Sequence, residues 1–132
     1  MAIDYAFEQR EGYLVAKVIG TFDTQEGIQT FPRILDACLE HHVFRVLIDL
    51  RQMSVRLPFA TMDVYEYGAA ASQMVVDYAS KGLAQFRMAF FGTPAQMDTG
   101  HFGETVFRNR GVNVKGTADE AEAVAFLTED LA

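Results

Sequence analysis

The sequence predicts an α/β protein. One mainly parallel, single-layer sheet of five strands opens with an antiparallel hairpin and is covered by four helices, in the order β-β-α-β-α-β-α-β-α. Three observations predict it. Ile3 to Gln9 sets Ile3, Tyr5 and Phe7 against Asp4, Ala6 and Glu8, the period of a half-buried strand. Val46-Leu47-Ile48 and Phe86 to Phe91 are largely continuous apolar runs of strand length, as suits parallel strands covered on both faces. Segments of helical period, with start and stop residues at their ends, alternate with these runs, which implies right-handed crossovers.

Arg10-Glu11-Gly12 turns the chain, and Tyr13 to Ile19 returns as the second strand. Asp23-Thr24-Gln25-Glu26 starts a helix: the Asp23 side chain caps the first turn and Glu26 reaches back to the cap. Ile28, Phe31, Leu35, Cys38 and Leu39 form its apolar face, while Pro32 predicts a kink or a fresh start near Thr30. A strand over Val43 to Leu50 follows, then the loop Arg51 to Ala60, then a long helix from Thr61 to Lys81 with Gly82 as its left-handed cap. The strand Phe86 to Phe91 ends at Gly92-Thr93-Pro94, and a short helix runs from about Gly100 to Asn109. Val112 to Lys115 reads as an edge strand, and Thr117-Ala118-Asp119-Glu120 as a capping box for a last helix carrying Ala121, Val124, Leu127 and Leu131.

A chain of 132 residues, 50% apolar and 22% charged, suits one folded domain spanning 1–132. The net charge of −7 argues against nucleic acid and anionic lipid surfaces as partners. It is uneven: the part before Thr117 carries only −2, with local basic excess at Arg51/Arg56 and Arg108/Arg110 where a small anionic group or an acidic partner could bind. A single cysteine, no signal-like start and no apolar run of bilayer length lead us to expect a cytoplasmic domain without stable membrane insertion.

No cofactor or metal site is expected. His41 and His42 are adjacent beside a helix end, and His101 is remote from them in sequence. Cys38 lies on an apolar helix face. Gly100-His101-Phe102-Gly103 lacks the spacing of a phosphate loop, although free amides at a helix start there could take a small anion. Asp49, at a strand end, is expected to bond the loop amides that follow it. No catalytic constellation emerges, so the chain reads as non-enzymatic.

The Gly12-Tyr13-Leu14-Val15 strand, Val46-Leu47-Ile48-Asp49-Leu50, Phe86-Arg87-Met88-Ala89-Phe90-Phe91 and Thr105 to Gly111 followed by Ala121 to Leu127 together resemble the STAS domains. The likeness is to their SpoIIAA-like, anti-sigma-factor-antagonist-like branch, which is grouped structurally with SEC14 lipid-transfer domains. It implies a regulatory module that binds a protein partner or itself, or alternatively a carrier or sensor of a small apolar or lipid-like ligand. Signalling members place a phosphate-accepting serine pair after the Asp-Leu strand end. Here that place holds Phe59-Ala60-Thr61, so Thr61, and less closely Ser54, are the candidate phosphosites.

The loop after Asp49-Leu50 is unusually apolar. Arg51, Met53, Arg56 and Phe59, with Met62 and Tyr65 on the following helix, form the candidate surface for a partner or ligand, these being residue types enriched at recognition sites. An apolar pocket rimmed by arginine could hold an amphiphile with an anionic head. The long helix has two apolar lines, Met62/Tyr65/Ala69 and Val64/Gly68/Ala71/Val75/Tyr78. Its second side therefore needs a cover: a neighbouring helix, a ligand in a cavity lined by Phe90, Met62 and Tyr65, or a second copy approaching Gly68 to Ser72 in a homodimer.

Overall fold

The computed structural model describes residues 3–54, 61–83 and 85–129. Strands β1 (Asp4–Arg10) and β2 (Tyr13–Thr21) form the antiparallel hairpin, followed by α1 (Thr24–His41), β3 (Arg45–Asp49), β4 (Met53–Ser54) and α2 (Thr61–Tyr78). Then come β5 (Arg87–Phe91), α3 (Pro94–Asn109), β6 (Asn113–Thr117) and α4 (Glu120–Thr128). The sheet runs β1-β2-β3-β5-β6, all pairs after the hairpin being parallel. The sixth strand is a pair of residues within the expected loop. After a turn at Leu50, where the Met53 amide donates to the Leu50 carbonyl, β4 pairs with β2 through Gly20↔Met53 and Thr21↔Ser54.

Alternation along the strands sorts the core into two faces. Leu14, Ala16 and Val18 of β2, Val46 and Ile48 of β3 and Met88 and Phe90 of β5 belong to the core shared with α1, α2 and α3. Val15, Leu47, Ala89 and Phe91 point the other way, against Ala123 and Leu127 of α4. Phe31 and Phe107 are fully buried anchors of the three-helix face; burying such a side chain contributes about 1.5–3 kcal/mol.

Helix α1 starts as the sequence predicts, the Asp23 carboxylate accepting from the Glu26 amide at 3.0 Å. The box does not close. Glu26 instead accepts from the Ile3 amide at 2.9 Å and so ties down the start of β1. The helix runs unbroken through Pro32 and ends at His42 in the left-handed region (φ 55°). Helix α2 passes into a 3-10 turn, Ala79–Lys81, before the left-handed Gly82.

Two helix starts correct the sequence reading. Helix α3 begins at Pro94, not near Gly100: Thr93 and Gln96 form a reciprocal capping box with proline at the first helical position. Gly100 therefore lies inside a helix and offers no free amides at a helix start. Helix α4 is capped by Asp119, which accepts from the Ala121 and Glu122 amides, while the Thr117 hydroxyl accepts from the Asp119 amide. Leu131, expected on this helix, lies outside the described residues.

The far end of α4 is held by strand side chains. Arg45, 8% exposed, donates to the Leu127 carbonyl at 3.1 Å, and Arg87 donates to the Phe126 carbonyl at 3.0 Å. Cations are favoured at a helix C-terminus by its dipole as well as by these bonds. We predict that Arg45→Ala lowers unfolding stability by about 2 kcal/mol, the scale of a buried charge-assisted hydrogen bond. Urea titration measures this; an unchanged midpoint would show that α4 docks by packing alone.

Candidate functional site

A cavity of about 100 Å³ lies between the sheet and the three helices that cover it. Val18, Ile48 and Phe90 form its floor from three adjacent strands. Ile34 of α1, Val64 and Tyr67 of α2, and Met97 and Phe107 of α3 supply its walls. Two glycines shape the space. Gly116 stands opposite Phe90 in the sheet, so no side chain projects beside that ring. At Gly27 a Cβ would lie 3.0 Å from the Phe22 ring and 3.2 Å from the Tyr67 ring, so glycine lets those aromatics close in.

Tyr67 is set by edge-on contacts with Phe22, Phe31 and Phe107, ring centroids 5.9, 6.0 and 6.5 Å away. Among the described residues nothing bonds its hydroxyl. Burial, with a smaller push from Tyr5, raises the phenol well above the ordinary tyrosine value, so it stays protonated and able to donate. The neighbouring Tyr5 hydroxyl is already paired with Thr30 at 2.7 Å.

At the rim, buried Gln96 donates to the Leu50 carbonyl at 3.0 Å, and its side-chain oxygen accepts from the Thr93 amide at 2.8 Å. Gly92 is needed there, because a Cβ would sit 2.5 Å from that oxygen. Glu104 accepts from the Gly116 amide and pairs with Arg108 at 2.8 Å; Asp63 is exposed.

The residues singled out from sequence fall in different places. Met53 is buried and lines the cavity, whereas Met62 (72% exposed) and Tyr65 (43%) stand outside it. The expected lining by Phe90, Met62 and Tyr65 is thus right only for Phe90. The phase of α2 turns Val64, Tyr67 and Ala71 inward and Met62, Tyr65 and Val76 outward. Tyr65 accepts a hydrogen bond from Arg110 at 3.2 Å. Gly68, Ala71 and Ser72 are buried within the chain itself, with Ser72 bonded to the Gly68 carbonyl, so those three are not free to receive a second copy. Arg56 and Phe59 lie outside the described residues. Ser54 is exposed on β4 and Thr61 is the first residue of α2.

Arg51 does not rim the cavity. Its guanidinium grips Asp49 through two bonds of 3.0 and 2.9 Å and lies 4.5 Å over the Phe91 ring, on the face that α4 covers. The Asp49 carboxylate also accepts from the Arg51 amide, the loop-bonding role read from sequence. Cys38 is sealed in the core, and burial pushes its thiol up to about 12. Of the cavity residues, Tyr67, Gln96, Met97 and Glu104 were not singled out from sequence. Thr93-Pro94-Ala95-Gln96 carried the signal for Gln96, being a capping box with proline at the first position.

The chain has the SpoIIAA-like fold, an α/β sheet opened by an antiparallel hairpin. A solved structure of this fold, from an uncharacterised protein of the DUF3478 family of Shewanella loihica PV-4, is 19% identical to it. The match covers 96% of this chain and 93% of that one, with a TM-score of 0.50. No protein-family model and no curated protein matches the sequence. Among the described residues no helix is long and apolar enough to cross a membrane, and no cluster of three or more His, Cys, Asp or Glu is placed to hold a metal.

Burial acts to raise the Asp49 carboxyl, but the bonds from Arg51 outweigh it and hold the group below its ordinary value. A carboxyl lowered in the folded state contributes stability above the unfolded value, and that contribution is lost as pH falls through the folded value. Asp49→Asn should therefore be less stable than the natural chain at neutral pH, with the gap closing below about pH 4. Urea midpoints across pH 2–7 test this, and a gap independent of pH would refute it.

Proposed function

We propose that this chain is a non-enzymatic, STAS-like binding module whose cavity takes up one small, largely apolar molecule and holds it unchanged. The observation that carries the reading is the apolar cavity itself, with the Tyr67 hydroxyl on its wall bonded to nothing in the described chain. A folded core is normally packed to crystal-like density and its buried polar groups are partnered. A space left unfilled beside such a core, with a hydroxyl on its wall that the described chain leaves unbonded, is better suited to a guest than to the fold alone. Its volume of about 100 Å³ is about two thirds of the roughly 150 Å³ of an apolar cavity that takes up benzene, so it limits the occupant to one small ring at most. A whole lipid would be far too large for it in this form.

Toluene serves as the test probe. It should shift the methyl resonances of Met53, Met97 and Ile48 saturably, and Val64→Phe, which fills the cavity from α2, should weaken binding at least about tenfold. Unshifted methyls at saturating toluene would refute the reading.

A second reading, docking of a protein partner or a second copy, is favoured by a separate observation. Met62, Tyr65 and Val76 (53% exposed) line the outward side of α2, an apolar stripe on an open surface. If that stripe mediates self-association, light scattering will report a dimer that Met62→Asp combined with Val76→Asp reduces to monomer. A natural chain that stays monomeric up to about 100 μM, where only contacts weaker than roughly 5–6 kcal/mol would escape notice, excludes the homodimer.

A further inference from the structure

We infer that the cavity selects an uncharged, ring-sized molecule bearing one hydrogen-bonding oxygen or nitrogen, and rejects carboxylates and other anions. This rests on the proposed uptake of a small ligand and names its class. The first support is the charge of the lining. Among the described lining residues the ionisable groups are Tyr5, Tyr67, Asp63 and Glu104, with no lysine, arginine or histidine. An anionic head inside would lose its hydration and meet no cation among the described lining residues, and an unpaired buried charge is the most costly form of burial.

The second support is where the nearby cations go. Arg51 is turned to the opposite face of the sheet, bound to Asp49 and stacked on Phe91. Arg108 is paired with Glu104 and donates to the Val114 carbonyl, and Arg110 with Tyr65. Asp63 is exposed beside the cavity, so an approaching anion meets an acidic side chain there and not a basic one.

The third support is Tyr67. Its protonated hydroxyl can donate to a carbonyl, ether or alcohol oxygen, or accept from an alcohol or amide, and the three aromatic edges around its ring keep it from turning away. Of the other described polar groups in the lining, the Tyr5 hydroxyl, Gln96 and Glu104 are bonded within the chain and Asp63 is exposed, so Tyr67 is the free partner offered to one polar atom on an apolar body. Size, charge and the single hydroxyl all point to the same ligand chemistry.

Three probes of nearly equal size separate these elements: toluene, benzyl alcohol and benzoate, followed at pH 7 through the methyl resonances of Met53, Met97 and Ile48. Benzoate should bind at least about tenfold more weakly than benzyl alcohol, the consequence of burying an unpaired carboxylate. Tyr67→Phe should cut the affinity of benzyl alcohol relative to toluene about three- to tenfold, as loss of one hydrogen bond does, while toluene itself binds as before. Benzoate binding as tightly as benzyl alcohol, or an alcohol-to-toluene ratio unmoved by Tyr67→Phe, would overturn the inference and leave ligand uptake standing. Toluene failing to bind the natural chain would remove the uptake and the inference together.

Discussion

Strand β3 is buried over its full length, yet two of its five residues, Arg45 and Asp49, are ionisable. A charge taken from water costs several kcal/mol unless it is paired and hydrogen-bonded, so the strand can sit at the centre of the sheet only if both ends are answered. The strand period puts Arg45 and Asp49 on one face with Leu47, and Val46 and Ile48 on the other. Everything polar that β3 needs is consequently met on the α4 side: the C-terminal carbonyls of α4 receive Arg45, and Arg51 folds back to receive Asp49. The three-helix side carries no such demand. It is free to be wholly apolar, and that freedom is what allows a cavity there without a chain of compensating hydrogen bonds.

Much of this was legible because it follows from local periods. The hairpin, the two buried strands and the Asp23 start of α1 depend on residues close in sequence, and Glu11-Gly12 and Gly82 mark their own turns. The errors have equally local causes. Pro94 read as the end of a strand because proline breaks sheets, although Thr93 and Gln96 around it spell the start of a helix. Thr117 and Asp119 are both caps by type; only the bond from the Asp119 amide to Thr117 shows that Thr117 closes the preceding turn and Asp119 caps the helix. Strand β4 is two residues long, too short for any period to register. Glu26 fits a capping box by spacing but is drawn to the Ile3 amide, 23 positions away, a competitor that no local window contains.

The cavity was less legible than the fold for a related reason. A cavity is the difference between what the packed elements could fill and what they do fill, so it depends on glycines as much as on the side chains around it. Gly27 admits Phe22 and Tyr67, while Gly116 leaves the place beside Phe90 unfilled, and neither effect has a sequence signature. The phase of α2 added a second obstacle. Two apolar lines on one helix look alike in sequence, and the side facing the sheet was decided by the contacts of Tyr67 and Ala71 with α1, α3 and the strands. The large, conspicuous Met62 and Tyr65 were therefore the wrong pair to place inside.

The arginines complete the argument about charge. Seen in the chain alone, the Arg51/Arg56 and Arg108/Arg110 pairs form patches that invite an anion; Arg56 lies outside the described residues. In the fold the described ones stay exposed but are engaged: Arg51 by Asp49, Arg108 by Glu104 and Arg110 by Tyr65, while Arg45 and Arg87 bond the carbonyls of α4. The domain thus spends its described basic groups in this region on its own carboxylates, carbonyls and rings. Among the described residues, what it leaves facing the cavity is hydrocarbon, sulfur, aromatic rings, two phenols, one amide and two acids. The proposed uptake would therefore work through shape and hydrogen bonding at that surface, because Arg51 and Arg108, which could have attracted an anion, are engaged by Asp49 and Glu104.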